Sequence, residues 1–76
     1  MSDTELQLKQ AFDAIINDRS IELDDNFFEI GISSLVLVEI HLKLDDIWPD
    51  RVDIDDIFTY QTISELAQFI DSKSGD

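Results

Sequence analysis

The sequence contains no cysteine, and this absence excludes three kinds of chemistry. Disulfide bonds, thiolate nucleophiles and thiolate metal sites all need a cysteine sulfur. Glycine is nearly as scarce, because Gly31 and Gly75 are the only two in the chain. A glycine-rich phosphate-binding loop is therefore excluded as well. Any thiol chemistry on this protein has to use a sulfur that a cofactor brings.

Long apolar runs and basic residues are also few. No apolar stretch reaches the length of a membrane-spanning helix, and no basic segment precedes a shorter one as in a secretion signal. We therefore expect the chain in the cytoplasm. Five basic against 18 acidic residues give a net charge of −13. Because such a surface repels nucleic acid and anionic membranes, we expect it to attract basic protein surfaces. The alternative is that the charge only keeps the protein soluble.

Two motifs for catalysis or metal binding are incomplete. The segment 31–35 ends in leucine, where the serine-hydrolase motif Gly-x-Ser-x-Gly needs glycine, and His41 is the only histidine for a triad. We expect His41 to be a packed histidine at the edge of the core. A calcium loop that starts at Asp50 has no glycine at its sixth position and no glutamate at its twelfth. We therefore predict no catalytic site and no specific metal site.

The length of 76 residues indicates one small domain, which buries only about 60% of the surface that its unfolded chain exposes. A capping box at Ser2 and Glu5 and apolar residues at three-and-four spacing predict a helix from about Asp3 to Asn17. The long connection that follows, roughly 18–33, contains hydrophobic residues that should hold it against the helices: Ile21, Leu23, Phe27, Phe28 and Ile30.

The second half of the chain predicts three more helical segments. The second helix should run from Ser34 to about Ile47, because the residue before proline in Trp48-Pro49 avoids helical dihedral angles. Residues 55–58 predict a single short helical turn, and Thr62 with Glu65 forms a capping box that opens the last helix. The fold class is thus all-α, a small bundle of three main helices plus a short third helical turn. Its core spans about 3–71, and 72–76 form a flexible tail.

The second helix carries two apolar stripes on a helical wheel. The first has the spacing of a core face and contains Leu37, Ile40, His41 and Leu44. The second is rotated by about a third of a turn and contains Leu35, Val38 and Leu42. Glu39, Asp45 and Asp46 border the second stripe, and the solvent face consists of Val36, Glu39, Lys43 and Asp46. An exposed apolar strip with an acidic rim is typical of a transient docking surface. The alternative is that the long loop covers the second stripe and both are buried.

Ser34 stands at the predicted start of this helix. The free backbone N–H groups and the positive dipole end of a helix favour an anion there, so its hydroxyl is well placed for a phosphodiester. The alternative is that Ser33 is an ordinary N-cap and Ser34 only the next residue.

The order of these elements strongly resembles the acyl carrier proteins and, more broadly, the carrier proteins that bind phosphopantetheine. The resemblance covers about Leu6 to Ile70. Residues 25–31 (Asp-Asn-Phe-Phe-Glu-Ile-Gly) resemble the family's segment before the modified serine. Residues 56–67 (Asp-Ile-Phe-Thr-Tyr-Gln-Thr-Ile-Ser-Glu-Leu-Ala) resemble its third and fourth helices, and are closer to polyketide and peptide-synthetase carriers than to the housekeeping fatty-acid type.

The resemblance implies a carrier and not an enzyme. A phosphopantetheinyl transferase would move 4′-phosphopantetheine from coenzyme A to Ser34, and its thiol would hold acyl or related intermediates as thioesters. A loading enzyme and synthases with basic docking surfaces would then be its partners, in polyketide, secondary-metabolite or fatty-acid-type synthesis. The residues expected at these partners are Leu35, Val38 and Leu42 for apolar contact and Glu39, Asp45 and Asp46 for basic side chains. We expect a monomer, and Met1 with the short polar tail favours a free-standing chain.

One position departs from the family. The residue before the modified serine is usually aspartate, and here it is Ser33. Ser33 is therefore the second choice for the attachment site. Two other functions stay open, namely a carrier of aminoacyl or peptidyl groups and an unmodified acidic protein-interaction module.

Overall fold

The computed structural model describes residues 2–17 and 19–74. These ranges contain no strand and four helices, which are α1 (Asp3–Ile15), α2 (Ser34–Ile47), α3 (Ile54–Thr59) and α4 (Ile63–Ser74). Helix α1 packs against α2 and α4, and α2 also contacts α3. The predicted all-α fold with one short third helix is confirmed. None of the described helices has both the length and the apolar character needed to cross a membrane.

Local signals account for the start of α1 and the end of α2. The Ser2 hydroxyl accepts a hydrogen bond from the Glu5 N–H at 3.1 Å, and the Glu5 carboxylate accepts one from the Ser2 N–H at 2.8 Å. This reciprocal pair is the predicted capping box. Helix α2 ends at Ile47 directly before Trp48-Pro49, also as predicted.

Other boundaries differ from the predictions. Helix α1 ends at Ile15, two residues before the predicted Asn17, because Ile16 leaves the helical region (φ −101°, ψ 82°) and packs partly against the core. Helix α3 is one residue longer at each end than the predicted turn. Helix α4 continues to Ser74, so three residues of the predicted tail are helical, and the other two lie outside the described residues.

The loop between α1 and α2 contributes directly to the core. Ile21 and Phe27 are fully buried, and the Phe27 ring stacks on Phe12 of α1 with 4.7 Å between centroids. Leu23 and Ile30 are half-buried against the same core. Phe28 is the exception to the prediction: its ring is exposed and stacks on Phe58 of α3 at 5.7 Å. The loop therefore holds a fixed course over the helices.

Candidate functional site

Asn26 fixes the turn of the loop before α2. Its side-chain oxygen accepts hydrogen bonds from the N–H groups of Phe28 (2.9 Å) and Glu29 (3.1 Å). Its amide nitrogen donates to the side-chain oxygen of Gln61 at 3.0 Å, and the Phe27 N–H donates to the Gln61 carbonyl at 2.8 Å. Because Gln61 lies between α3 and α4, these bonds hold the loop before α2 against the segment that connects α3 and α4.

Gly31 then turns the chain toward the start of α2. Its φ of +86° lies in the left-handed region, which residues with a Cβ adopt only at a cost. A Cβ here would meet no atom of the described residues within 4 Å, so the backbone conformation and not the space requires glycine. The Ile32 N–H donates to the Phe27 carbonyl at 3.0 Å, and the Ile32 side chain is buried. Both interactions fix the position of the next residue, Ser33.

The two adjacent serines have different surroundings. Ser33 is the N-cap of α2 (φ −74°, ψ 155°), and its hydroxyl oxygen accepts a hydrogen bond from the Val36 N–H at 3.3 Å. Ser34 is the first helical residue, its side chain is exposed, and no described residue hydrogen-bonds its hydroxyl. The first turn of α2 contains no acidic residue, so the positive end of the helix dipole is not locally neutralised. Both serines are exposed, and they differ in that only the Ser33 hydroxyl takes part in capping α2.

The two apolar stripes of α2 are separated as the helical wheel predicted. Leu37, Ile40 and Leu44 are fully buried. Leu35, Val38 and Leu42 are exposed, at 72%, 41% and 62% of their maximum surface. The alternative that both stripes are buried is excluded. We refer to Leu35, Val38 and Leu42 as the exposed stripe.

The three acidic residues beside the exposed stripe are all exposed. Asp45 has a second role that the sequence did not indicate, because its carboxylate accepts a hydrogen bond from the Asp50 N–H at 3.1 Å. Asp50 has a positive φ of 61°, so this bond stabilises a strained turn after α2. Glu39 and Asp46 have no such bond within the described part of the chain.

The remaining α2 positions give one confirmation and one correction. His41 is half-buried, with its Nε2 2.8 Å from the Val52 carbonyl oxygen, and so lies at the edge of the core as predicted. Val36 was assigned to the solvent face, and this is wrong: its side chain is half-buried against the core. Ile30 and Ile32 of the loop before α2 line a shallow cavity together with Val36, so the loop flanks this side of the helix start.

A shallow cavity of about 170 Å³ lies at this position. Ile16, Ile32 and Val36 contribute apolar side chains to its walls, and Ser33 and Arg19 contribute polar groups. The Arg19 guanidinium donates a hydrogen bond to the Ile30 carbonyl at 2.8 Å. Sequence reasoning missed Arg19. Its one signal is that no other lysine or arginine occurs between Lys9 and Lys43.

An exposed hydroxyl at a helix start beside an exposed apolar stripe is suited to covalent modification and to docking. In the described residues, no three or more His, Cys, Asp or Glu side chains are grouped as metal ligands would be. The fold and the site thus define a small helical carrier domain.

The chain belongs to the family described as the phosphopantetheine attachment site, which residues 7–70 match. Domains of this family carry covalently attached 4′-phosphopantetheine, so the predicted family and cofactor are confirmed. The family consists of carrier domains that are not themselves catalytic. In synthetases, such domains are modified by phosphopantetheinyl transferases and interact with synthase enzymes.

Three relatives are large proteins of which this chain matches a small part. It is 32% identical to the dapdiamide synthesis protein DdaD of Enterobacter agglomerans over 74 residues, which are 97% of this chain and 13% of the relative. It is 32% identical to a linear gramicidin synthase subunit of Brevibacillus parabrevis over 59 residues, which are 78% of this chain and 1% of the relative. It is 25% identical to the polyketide synthase-nonribosomal peptide synthetase pyiS of Pyricularia grisea over an alignment of 79 positions, which covers 97% of this chain and 2% of the relative. These names agree with the predicted similarity to polyketide and peptide-synthetase carriers.

Proposed function

We propose that Ser34 holds the phosphopantetheine arm and that the protein delivers acyl or related intermediates between biosynthetic enzymes. The observation that carries this proposal is the contrast between the two serines. The Ser33 hydroxyl is used to cap α2, whereas the Ser34 hydroxyl is exposed on the first helical residue. A modifying enzyme can therefore reach the Ser34 oxygen without breaking a hydrogen bond that stabilises the fold.

The attachment step is a phosphoryl transfer to Ser34. The Ser34 oxygen forms a bond to the phosphorus next to pantetheine in coenzyme A, the bond from that phosphorus to 3′,5′-ADP breaks, and the hydroxyl proton goes to the transferase. When bound, the arm supplies a thiol that holds the cargo as a thioester. The role of this chain is to keep Ser34 accessible at the helix start, which the Ser33 cap and the Gly31 turn hold in place.

The exposed stripe and its acidic neighbours form the proposed docking surface. Leu35 and Leu42 are the most exposed large apolar residues of the described chain, so a partner would gain free energy by covering them. Glu39 and Asp46 would meet lysine and arginine on the partner. Exposed charge pairs are each worth less than ~1 kcal/mol and mainly raise the association rate. Weak contacts of this kind suit a carrier that must leave each enzyme after one transfer.

Intact mass measurement tests the attachment site. The unmodified protein is incubated with coenzyme A and a phosphopantetheinyl transferase until the reaction is complete. We expect the wild type and Ser33→Ala to gain the mass of one phosphopantetheine group, and Ser34→Ala to gain none while its helical circular dichroism is unchanged. Ser33→Asp is a further control, because aspartate preserves the capping acceptor and is the residue usual in the family. Full modification of Ser34→Ala, or loss of modification in Ser33→Ala alone, contradicts the assignment.

A carrier for aminoacyl or peptidyl groups is the second candidate. One relative's name joins a polyketide synthase to a nonribosomal peptide synthetase, and the second part of that name supports this cargo class beside the first. The two candidates are separated by offering the modified protein to an amino-acid-adenylating enzyme and, in parallel, to an acyl-activating enzyme. The class that is loaded appears as the corresponding mass gain. An unmodified interaction module would show no mass gain even in the first experiment.

A further inference from the structure

We propose that Arg19 and the cavity beside it form a resting site for the part of the arm nearest to the protein. The guanidinium of Arg19 pairs with the phosphodiester, and Ile16, Ile32 and Val36 contact the branched hydrocarbon that follows it. This inference rests on the proposed attachment at Ser34.

The position and size of the cavity carry the first step. Ser33 lines the cavity, and Ser34 is the next residue in the chain, so an arm attached to Ser34 starts one residue away from the cavity wall. The volume of about 170 Å³ is below the roughly 300–1,000 Å³ of pockets that enclose a whole drug-sized ligand. The cavity therefore holds only a part of the arm, and the thiol end stays outside, accessible to enzymes.

The chemistry of Arg19 carries the second step. Its hydrogen bond to the Ile30 carbonyl uses one of the five N–H donors of the guanidinium and fixes the direction of the side chain. The planar arrangement of the others matches the oxygens of a phosphate group. The walls beside it are apolar, and this combination of one cation with apolar side chains is complementary to a phosphodiester followed by a branched hydrocarbon.

The negative charge of the whole chain is the third argument for the role of Arg19. The arm adds an anion to a protein of net charge −13, and like charges repel one another. Lys9, the preceding basic residue, is engaged by Asp13, Ser20 and the Ile21 carbonyl. Arg19 is the one arginine or lysine among the residues that line the cavity. It is therefore the cation placed to offset the charge of the phosphodiester.

Nuclear magnetic resonance of the modified protein tests the resting site. We expect nuclear Overhauser effects between the two methyl groups of pantetheine and the methyl groups of Ile16, Ile32 and Val36. In Arg19→Gln, the ratio of docked to free arm should fall about fivefold, the effect of an exposed charge pair at the upper end of its range. Arg19→Lys should recover part of the loss, because it keeps the charge and loses the planar fork.

Lys43→Gln is the matched control. It removes the same charge from an exposed position of α2, nine residues after Ser34 and hence about 13–14 Å along the helix. We expect it to leave the docked population unchanged. Raising the salt concentration to about 1 M, where the Debye length is about 3 Å, should lower the docked population in the wild type and much less in Arg19→Gln.

The outcomes separate this inference from the proposed function. Absence of the Overhauser effects in a wild-type protein whose mass shows full modification overturns the resting site and leaves the attachment at Ser34 intact. Equal docking in the wild type and Arg19→Gln overturns the role of Arg19. Failure of the mass gain itself counts against the proposed function instead. If Arg19→Gln lowers the melting temperature, the salt dependence and Arg19→Lys still decide the role of the charge.

Discussion

The two apolar stripes of α2 both contain leucines, and these leucines have opposite surroundings. Leu42 and Leu44 are two residues apart, yet Leu42 is 62% exposed and Leu44 is completely buried. Ser33 and Ser34 differ in a similar way, because the Ser33 hydroxyl caps α2 and the exposed Ser34 hydroxyl does not. In each pair one member stabilises the fold, and the identical member beside it is available to other molecules. Residue type alone therefore does not distinguish structure from function on this helix.

The largest expected effect separates the two leucines. Leu44→Ala removes a buried side chain and leaves a cavity, which costs about 2–5 kcal/mol of unfolding free energy. Leu42→Ala should cost much less than that, because its side chain is largely in water in the folded state as well. Urea unfolding of both variants measures the difference.

The same pair should show the reverse order in function. Leu42→Ala should slow transfer by a partner enzyme, whereas Leu44→Ala, assayed where it remains folded, should transfer at close to the wild-type rate. Equal losses of stability in the two variants would mean that the exposed stripe belongs to the core.

An intermediate effect separates the two serines. Ser33→Ala removes the side-chain acceptor at the start of α2 and should cost about 1 kcal/mol of stability. Ser34→Ala removes no hydrogen bond seen in the described residues, and alanine favours the helix, so the unfolding free energy should stay within a few tenths of a kcal/mol. Denaturant midpoints measured on the unmodified proteins decide this. A larger loss in Ser34→Ala than in Ser33→Ala would contradict the assignment of the cap.

The smallest effects concern the acidic residues around the exposed stripe. Added salt should raise the melting temperature of a chain with net charge −13, because screening weakens self-repulsion, and should lower its association rate with the transferase. Glu39→Gln with Asp46→Asn should remove much of the salt dependence of association. Asp45 is left unchanged, since its carboxylate stabilises the turn at Asp50.

A double variant in the loop provides the control for this charge change. Glu22→Gln with Asp24→Asn removes two negative charges from exposed residues outside α2. We expect it to raise the melting temperature slightly and to leave most of the salt dependence of association in place. An association rate that responds to neither salt nor the α2 variant would mean that the negative charge serves solubility only.

The sequence by itself determined the features that depend on neighbours in the chain. The capping box of Ser2 and Glu5 and the stop at Trp48-Pro49 are local rules, so the ends that they control were predicted correctly. The period of the apolar residues on α2 separated Leu42 from Leu44, because a helix rotates by a fixed angle for each residue. The order of the elements, together with residues 25–31 and 56–67, was enough to indicate the family. The end of α1 was missed by two residues, since packing of Ile16 and not a local stop signal ends that helix.

Only the tertiary structure decided what the loop before α2 does to the start of the helix. A helical wheel describes one isolated helix, and it placed Val36 in solvent because it contains no information about the loop that folds over it. Arg19 lies 15 positions before Ser34 in the chain, and no local pattern connects them. The hydrogen bond of Arg19 to the Ile30 carbonyl joins it to the end of the loop before α2, and both residues line the cavity beside Ser33. The hydrogen bonds of Asn26 and Phe27 to Gln61 hold the same loop and are long-range in the sequence. The hydrogen bond between Asn26 and Gln61 joins residues 35 positions apart. Such a bond forms only when the whole chain folds, so the sequence around either residue does not predict it.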